Sequence, residues 1–327
     1  MKSLAFLYPG QGSQSLGMGR FLYDEFKAVR DIFAEASDSI NLDIKKLCFT
    51  SDDATLALTE NTQPAIVTVS YATAIVLKNE FGLIPTITAG HSVGEYAAFA
   101  TAEVISFATA IKAVRLRGQA MQAAVPVGQG GMMATLGLNE AQVTFLCHYA
   151  EKKSGHAPLQ PANFNCDGQI VISGNLDALH WLKDNFKPDV LLENKLIDDV
   201  SQARRVKFIP LQVSGPFHSS MMRPAEEIMK TFFETVPFNT AKIPVIQNFV
   251  ADKVTDSTQL KSNLIHQISG PVKWTQSMLN LKNSGVTKCI EVGNGQVLKG
   301  LMKKIDSEFF TVYNTNNLDE IKAIPLN

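Results

Sequence analysis

The stretch Gly90-His91-Ser92-Val93-Gly94-Glu95-Tyr96 constrains this chain more than any other. An apolar, β-branched run, Ile84-Pro85-Thr86-Ile87-Thr88-Ala89, leads into it, and a helix-like run, Tyr96-Ala97-Ala98-Phe99-Ala100, leads out. Strand, G-x-S-x-G, helix is the context in which that motif acts as a nucleophile elbow. The glycines are steric requirements, because a turn tight enough to expose a serine Oγ leaves no room for Cβ atoms two residues to either side. Ser92 also stands at a helix start, where free N–H groups and the positive dipole end favour negative charge on a substrate oxygen. A chance Gly/Ser turn is the competing reading; the flanks favour the catalytic one.

Composition narrows what such an elbow would serve. A chain of 327 residues allows one large or two modest domains. A net charge of −1 argues against nucleic acid as the main partner, since no basic excess exists to neutralise phosphates. The opening run from Met1 to Gly10 carries one lysine and reaches a Pro-Gly turn too soon for a signal peptide, so it reads as a first buried strand. No apolar run approaches a membrane span, and a cytoplasmic protein without membrane partners is expected. Cys48, Cys147, Cys166 and Cys289 lack any C-x-x-C pairing and read as buried apolar filler, with neither a disulfide framework nor a metal site implied.

Along the chain, Leu4 to Tyr8 runs into Pro9-Gly10-Gln11-Gly12-Ser13-Gln14. This loop lacks the third glycine of a dinucleotide fingerprint and any Gly-Lys-Ser/Thr, which leaves a backbone-donor loop or a plain strand-to-helix turn. Helical periodicity covers residues 19–40 and 64–80, the second opening at Gln63-Pro64. Ser106 caps a helix expected over Ala108 to Ala124, carrying Arg115 and Arg117. Either arginine suits a solvated surface; the sharper reading has Arg117 present its fork to a substrate carboxylate.

Between Gly128 and Gln212 the pattern becomes β-α-β-β-α-β, the split ferredoxin-like order, with Lys187 to Arg205 as a loop or extra helix inside it. Val213-Ser214-Gly215-Pro216-Phe217-His218 follows, with His218 read at the exit of a strand in a Gly/Pro-shaped loop. A serine nucleophile needs a base, and His218 is the best placed of six histidines; His91, one residue from the serine across a tight turn, is expected to point away from it. Strand and helix alternate again from Ile243 to the end. The prediction is an α/β fold: a parallel-sheet, α/β-hydrolase-like large domain of residues 1–127 and 213–327, with a ferredoxin-like subdomain inserted over 128–212.

Taken in order, Pro9-Gly10-Gln11-Gly12-Ser13-Gln14, Gly90-His91-Ser92-Val93-Gly94-Glu95, Gly215-Pro216-Phe217-His218 and Glu291-Val292-Gly293 resemble the malonyl-CoA:acyl carrier protein transacylase family, which includes the acyltransferase domains of fatty acid and polyketide synthases. The resemblance implies a malonyl-serine at Ser92, His218 as base, and backbone N–H groups of Val93 and Gln11 as the oxyanion hole. It implies that Arg117 pairs with the free malonyl carboxylate, and that a main-chain carbonyl near Gln267 orients the histidine in place of an acid. Phe217 is implied to exclude a branched acyl group, and Gln63, His91 and Met121 to line the substrate pocket. It further implies malonyl-CoA as substrate, no permanently bound cofactor, the phosphopantetheine arm of an acyl carrier protein as acceptor, and a monomer. Asn294 departs from the usual Gly-Pro-Gly and reads as harmless turn chemistry, and Lys187 to Arg205 looks longer than the common form. An acidic carrier would meet Arg204, Arg205 and Lys207, or Lys299, Lys303 and Lys304. Fatty acid synthesis leads; a polyketide assembly line served in trans, a thioester hydrolase on the same fold, and a non-catalytic docking subunit are the alternatives.

Overall fold

The computed structural model describes residues 3–326. Met1 and Lys2, part of the opening run, lie outside them. Ten strands occur among the described residues: β1 (Leu4–Tyr8), β2 (Ile87–Gly90), β3 (Gly130–Leu136), β4 (Leu159–Cys166), β5 (Gln169–Asn175), β6 (Lys207–Pro210), β7 (Val245–Ile246), β8 (Lys253–Val254), β9 (Lys288–Glu291) and β10 (Thr311–Tyr313). They form two sheets, one ordered β10-β9-β1-β2-β7-β8 and one ordered β4-β5-β3-β6.

In the six-stranded sheet every pairing is parallel except β7 with β8. Strand β1 is buried throughout, and its side chains alternate between two cores. Phe6 and Tyr8 join the larger apolar cluster, Ala5 and Leu7 the cluster around Trp274 and Met278. A sheet buried on both faces needs near-continuous apolar strands, which Leu4-Ala5-Phe6-Leu7-Tyr8 supplies. All five parallel strands end at one edge, so the loops after β1, β2, β7 and β9 emerge side by side, where open α/β sheets bind ligands.

The four-stranded sheet is antiparallel, and its order is the split ferredoxin-like one. Met133, Ile170 and Ile172 pack under its own helices, while Met132, Ala134 and Val171 turn toward the large sheet's core. The helix Glu140–Ser154 starts with a full capping box between Asn139 and Gln142. Strand β4 is tied to the large domain where Val272, in the segment before the helix Trp274–Asn283, exchanges backbone hydrogen bonds with Ala162 and Phe164.

Several element limits differ from the sequence reading. The second long helix is Thr59–Asn79, not 64–80, with Pro64 inside it. Proline removes the N–H that would bond the carbonyl of Glu60, and Arg115 Nη1 fills that acceptor from outside at 2.9 Å. A tertiary contact thus lets the helix run through. Strand β2 begins at Ile87, because Thr86 already spends its N–H and hydroxyl on Leu4. The region 19–40 splits into Arg20–Glu25 and Lys27–Ile40 at Phe26. Lys187 to Arg205 holds a short helix, Asp189–Glu193, and a 3-10 turn, Val200–Ala203. All four cysteines are free and buried. No helix among the described residues is long and apolar enough to cross a membrane.

Candidate active site

Strand β2 delivers the chain to Ser92, which sits in the left-handed region at φ 52°. Such a φ is costly for a residue with a Cβ and persists only where neighbours over-determine it. Two glycines permit the turn. A Cβ on Gly90 would lie 2.0 Å from the Gly94 carbonyl carbon, and one on Gly94 would lie 2.2 Å from the Tyr8 carbonyl oxygen. Asn248, at the exit of β7, splints the elbow from the side. Its Oδ1 accepts the Ser92 N–H at 2.7 Å and its Nδ2 donates to the Gly90 carbonyl at 2.6 Å. Glu95, wholly buried, holds the Asn248 N–H at 2.8 Å and the Gln247 amide at 3.2 Å. Burial pushes the Glu95 carboxyl up to about 7, against the pull of those donors and of Arg117.

His218 Nε2 lies 2.7 Å from Ser92 Oγ across 126 residues of sequence. The sequence reading put His218 directly after a strand; β6 ends at Pro210, and residues 211–217 intervene without regular structure. The imidazole adopts φ 57° in its backbone and is 4% exposed. Nδ1 faces two carbonyl oxygens, Gln267 O at 2.8 Å and Gly270 O at 3.1 Å. Carbonyls only accept, so Nδ1 carries the proton and Nε2 keeps its lone pair toward the serine. Two main-chain oxygens do here what a carboxylate does in a Ser-His-Asp triad, without the negative charge.

Burial first, and then the Arg117 charge, push the His218 pKa down to about 3, against the two carbonyl hydrogen bonds. The folded state disfavours imidazolium, so the imidazole stays neutral well below neutrality. Enzyme acylation, measured as kcat/KM against pH, should hold level from about pH 7 to about 5.5 and not fall with the ~6.5 midpoint of free imidazole. A midpoint near that value that persists in Glu95→Gln, where the carboxyl at about 7 is gone, would place His218 in water. The same shift costs stability on acidification, beginning as pH falls through the unfolded value of ~6.5 and growing toward the folded one.

Arg117 comes from the helix Phe107–Ala123 and is 1% exposed. Its Nη2 donates to Ser92 Oγ at 3.1 Å and to Gln267 Oε1 at 3.0 Å, and its guanidinium carbon lies 5.7 Å from the Tyr96 ring centre. No acid forms a salt bridge with it among the described residues, and its Nε has no partner. A buried, incompletely paired guanidinium beside a serine hydroxyl has donors to spare for an anion. Arg115, two residues earlier, makes the ordinary ion pair with Glu60 at 2.9 Å. Gln267 ties the centre together: its carbonyl holds His218, its Oε1 holds Arg117, and its Nε2 donates to the Ser92 carbonyl at 2.9 Å.

Gln11, Gln63, His91, Ser92, Val93, Arg117, Met121, Phe217 and His218 line one cavity of about 200 Å³. Among the described residues the backbone N–H groups of Gln11 and Val93 donate to no protein acceptor. Gln63 is buried with an unpartnered Oε1 and its Nε2 4.0 Å from Met121 Sδ. His91 makes no hydrogen bond to Ser92; its Nε2 meets Asn165 Oδ1 at 2.9 Å, and its ring lies 5.5 Å from that of Trp274. The remaining wall includes Met132, Asn163, Asn165, Val171, Leu211, Val213, Val297 and Leu301, which the sequence reading did not assign to the site. Asn248 was missed as well. The polar pair Gln247-Asn248 directly after an apolar strand was the available signal, but nothing local says which turn it braces. No cluster of three or more His, Cys, Asp or Glu side chains among the described residues is placed to hold a metal ion.

A parallel α/β sheet carrying a Ser-His pair, a free donor pair and a buried arginine defines an acyl-transferring protein of the serine type. The family model for the acyl transferase domain matches residues 5–308, and the chain belongs to that family. Within it, the chain is 40% identical to a malonyl CoA-acyl carrier protein transacylase of Bacillus subtilis, over 95% of this chain and 93% of the relative. It is 39% identical to one of Staphylococcus aureus, over 99% and 98%. Among solved structures, an acyl carrier protein S-malonyltransferase from Vibrio cholerae superimposes with TM-score 0.89 at 35% identity, covering 99% of this chain and 100% of that one. A malonyl-transacylase in complex with its type II PKS acyl-carrier protein superimposes with TM-score 0.88 at 33% identity, covering 98% of each.

Proposed function

We propose that this chain is a malonyl-CoA:acyl carrier protein S-malonyltransferase serving fatty acid biosynthesis, working by ping-pong transfer through a malonyl ester of Ser92. The observation that carries this reading is the pair of contacts on one oxygen. Ser92 Oγ has a neutral imidazole on one side, at 2.7 Å, and a buried guanidinium on the other, at 3.1 Å.

In the first half-reaction His218 Nε2 takes the Ser92 proton as Oγ bonds to the thioester carbonyl carbon. The oxyanion is received by the Gln11 and Val93 N–H groups, which have no internal acceptor to give up. The carbon–sulfur bond then breaks, and the CoA sulfur leaves with the proton from His218. In the second half the phosphopantetheine thiol gives its proton to the same nitrogen and attacks the ester; Ser92 departs and recovers the proton. Arg117 takes the distal carboxylate throughout. The chemistry uses side chains and backbone donors alone, so no resident cofactor is required.

Phe217, 6% exposed, and Met121, 1% exposed, bound the acyl end of the cavity and suit an unbranched three-carbon unit. We read residues 128–212 as the subdomain whose sheet supplies one wall of the cleft, and 1–127 with 213–327 as the body that supplies nucleophile, base and arginine. A monomer acting in the cytoplasm fits this reading. The helix Val297–Asp306 sends Leu301 to the cavity while Lys299, Lys303 and Lys304 stay exposed, which favours it as a face for an acidic carrier. A polyketide-type carrier would be served by the same chemistry.

The test is the fate of the acyl-enzyme. Intact mass after mixing with malonyl-CoA should show one malonyl group that persists in buffer and is discharged when a phosphopantetheinylated carrier protein is added. Rapid loss to water without the carrier would make the protein a hydrolase.

A further inference from the structure

We propose that Asn294 is a positioning residue for the oxyanion hole, acting by clamping the 9–15 loop that carries the Gln11 N–H. The inference rests on the reading of that N–H as an oxyanion donor, and it concerns what keeps the donor in place.

The sheet order sets up the clamp. Strand β1 lies between β2 and β9, so its exit loop is flanked on one side by the elbow and on the other by the loop after Glu291. On the elbow side the loop is fixed by contact, since a Cβ on Gly10 would stand 2.6 Å from the His91 carbonyl oxygen. On the far side Asn294 Nδ2 donates to the Ser13 carbonyl at 2.6 Å and to Ser15 Oγ at 3.0 Å. A carbonyl only accepts, which fixes the amide's orientation.

Other bonds in this loop are internal: Ser13 Oγ to the Gly10 carbonyl at 2.8 Å and the Gly12 N–H to Gln14 Oε1 at 2.7 Å. They shape the turn without tethering it to the body. The remaining tether from the Gln11 side chain, to Thr59 Oγ1, is long at 3.3 Å. Gly12, at φ 104°, gives the backbone next to Gln11 added freedom. The mount of the clamp is by contrast braced. The Gly293 N–H donates to Thr315 Oγ1 at 3.0 Å, the Gly295 N–H to Asn316 Oδ1 at 2.7 Å, and Asn314 Nδ2 to the Gly295 carbonyl at 3.0 Å. Asn294 itself is half-buried and belongs to no apolar cluster. Its amide therefore ties a glycine-bearing donor loop to a braced neighbour, and an oxyanion donor is effective only when it is held before charge develops.

Asn294→Ala should lower kcat for malonyl transfer about tenfold, short of the ~10²–10³ for losing a donor outright, and leave KM for malonyl-CoA within about twofold. Asn294→Ser, which keeps one donor, should fall between the two. The second readout is Ser92 phosphonylation by an uncharged alkyl fluorophosphonate. An Oγ–P bond forms, fluoride leaves and the proton passes to His218, with charge developing on the phosphoryl oxygen and no call on Arg117. This rate should fall by the same factor as kcat. Unchanged phosphonylation and kcat in Asn294→Ala, or a raised KM with kcat intact, would overturn the proposal. Loss of the cooperative melt in both variants would assign Asn294 to the fold instead. If wild-type Ser92 does not react with the probe, the reading of the site falls and the proposal with it; if it reacts and the variants match it, the proposal alone falls.

Discussion

Ser92→Ala should remain folded and take up no malonyl group. Intact mass after incubation with malonyl-CoA should be that of the unmodified chain, and transfer to a carrier protein should drop by on the order of 10⁴-fold or more, the scale seen when an enzyme loses its nucleophile. Alanine meets the same backbone demand at φ 52° as serine, and the turn's steric conditions, at Gly90 and Gly94, are untouched. What disappears is one oxygen and its contacts to His218 Nε2 and Arg117 Nη2. Exchanging those for solvent changes stability by about 1 kcal/mol, which a cooperative melt would register as a small shift. Persistent labelling of a folded Ser92→Ala would locate the nucleophile elsewhere. The four cysteines are poor candidates, because each is buried, and burial pushes the thiols of Cys48, Cys147 and Cys289 up and away from the reactive range, Cys289 to about 12, with the Glu151 charge adding to burial at Cys147.

Arg117→Ala should separate binding of the acyl group's charge from catalysis. Malonyl transfer should lose ~10²–10⁴ in kcat/KM, because a carboxylate left unpaired in a desolvated pocket costs roughly 3–5 kcal/mol. Acetyl transfer, which presents no charge, should change by less than about tenfold, so the malonyl preference collapses. Two further effects pull in known directions. Removing the cation relieves one of the forces that depress the His218 pKa, which makes the base stronger; the Gln267 Oε1 acceptor loses its donor, which loosens the amide bridging the site. Initial rates with malonyl-CoA and acetyl-CoA on the same preparation, normalised by its melt, decide the matter. Equal loss for both donors would mean that Arg117 braces the site and does not read the substrate.

Much of this architecture could be read before any coordinates. The elbow stood in G-x-S-x-G between a β-branched run and an alanine-rich one, and the β-α-β-β-α-β texture of the middle third matched the β4-β5-β3-β6 sheet. These are short-range signals, set by side-chain periodicity and by what a tight turn excludes sterically. Limits of elements were less legible. Pro64 announced a helix start and lies inside a helix, since the acceptor it cannot satisfy is met by Arg115 from 55 residues away. His218 was attached to a strand that had ended at Pro210.

By itself the chain determined its elements and named a serine, a histidine and an arginine as chemically apt, because residue type and local spacing carry that much. Which side chains meet was decided only by the tertiary structure. Ser92 lies 126 residues from His218 and its carbonyl 175 from the Gln267 amide; the serine leaves β2, the histidine precedes the helix Arg223–Glu234 and the glutamine ends the helix Ser257–His266, so the packing of separate elements brings them together. The splint made by Asn248, the contacts of the Asn294 amide and the second carbonyl on His218 Nδ1, that of Gly270, became visible at that level alone. A backbone oxygen or a bracing amide has no residue-type signature; it acquires a role when packing puts it within 3 Å or so of a group with an unmet hydrogen bond.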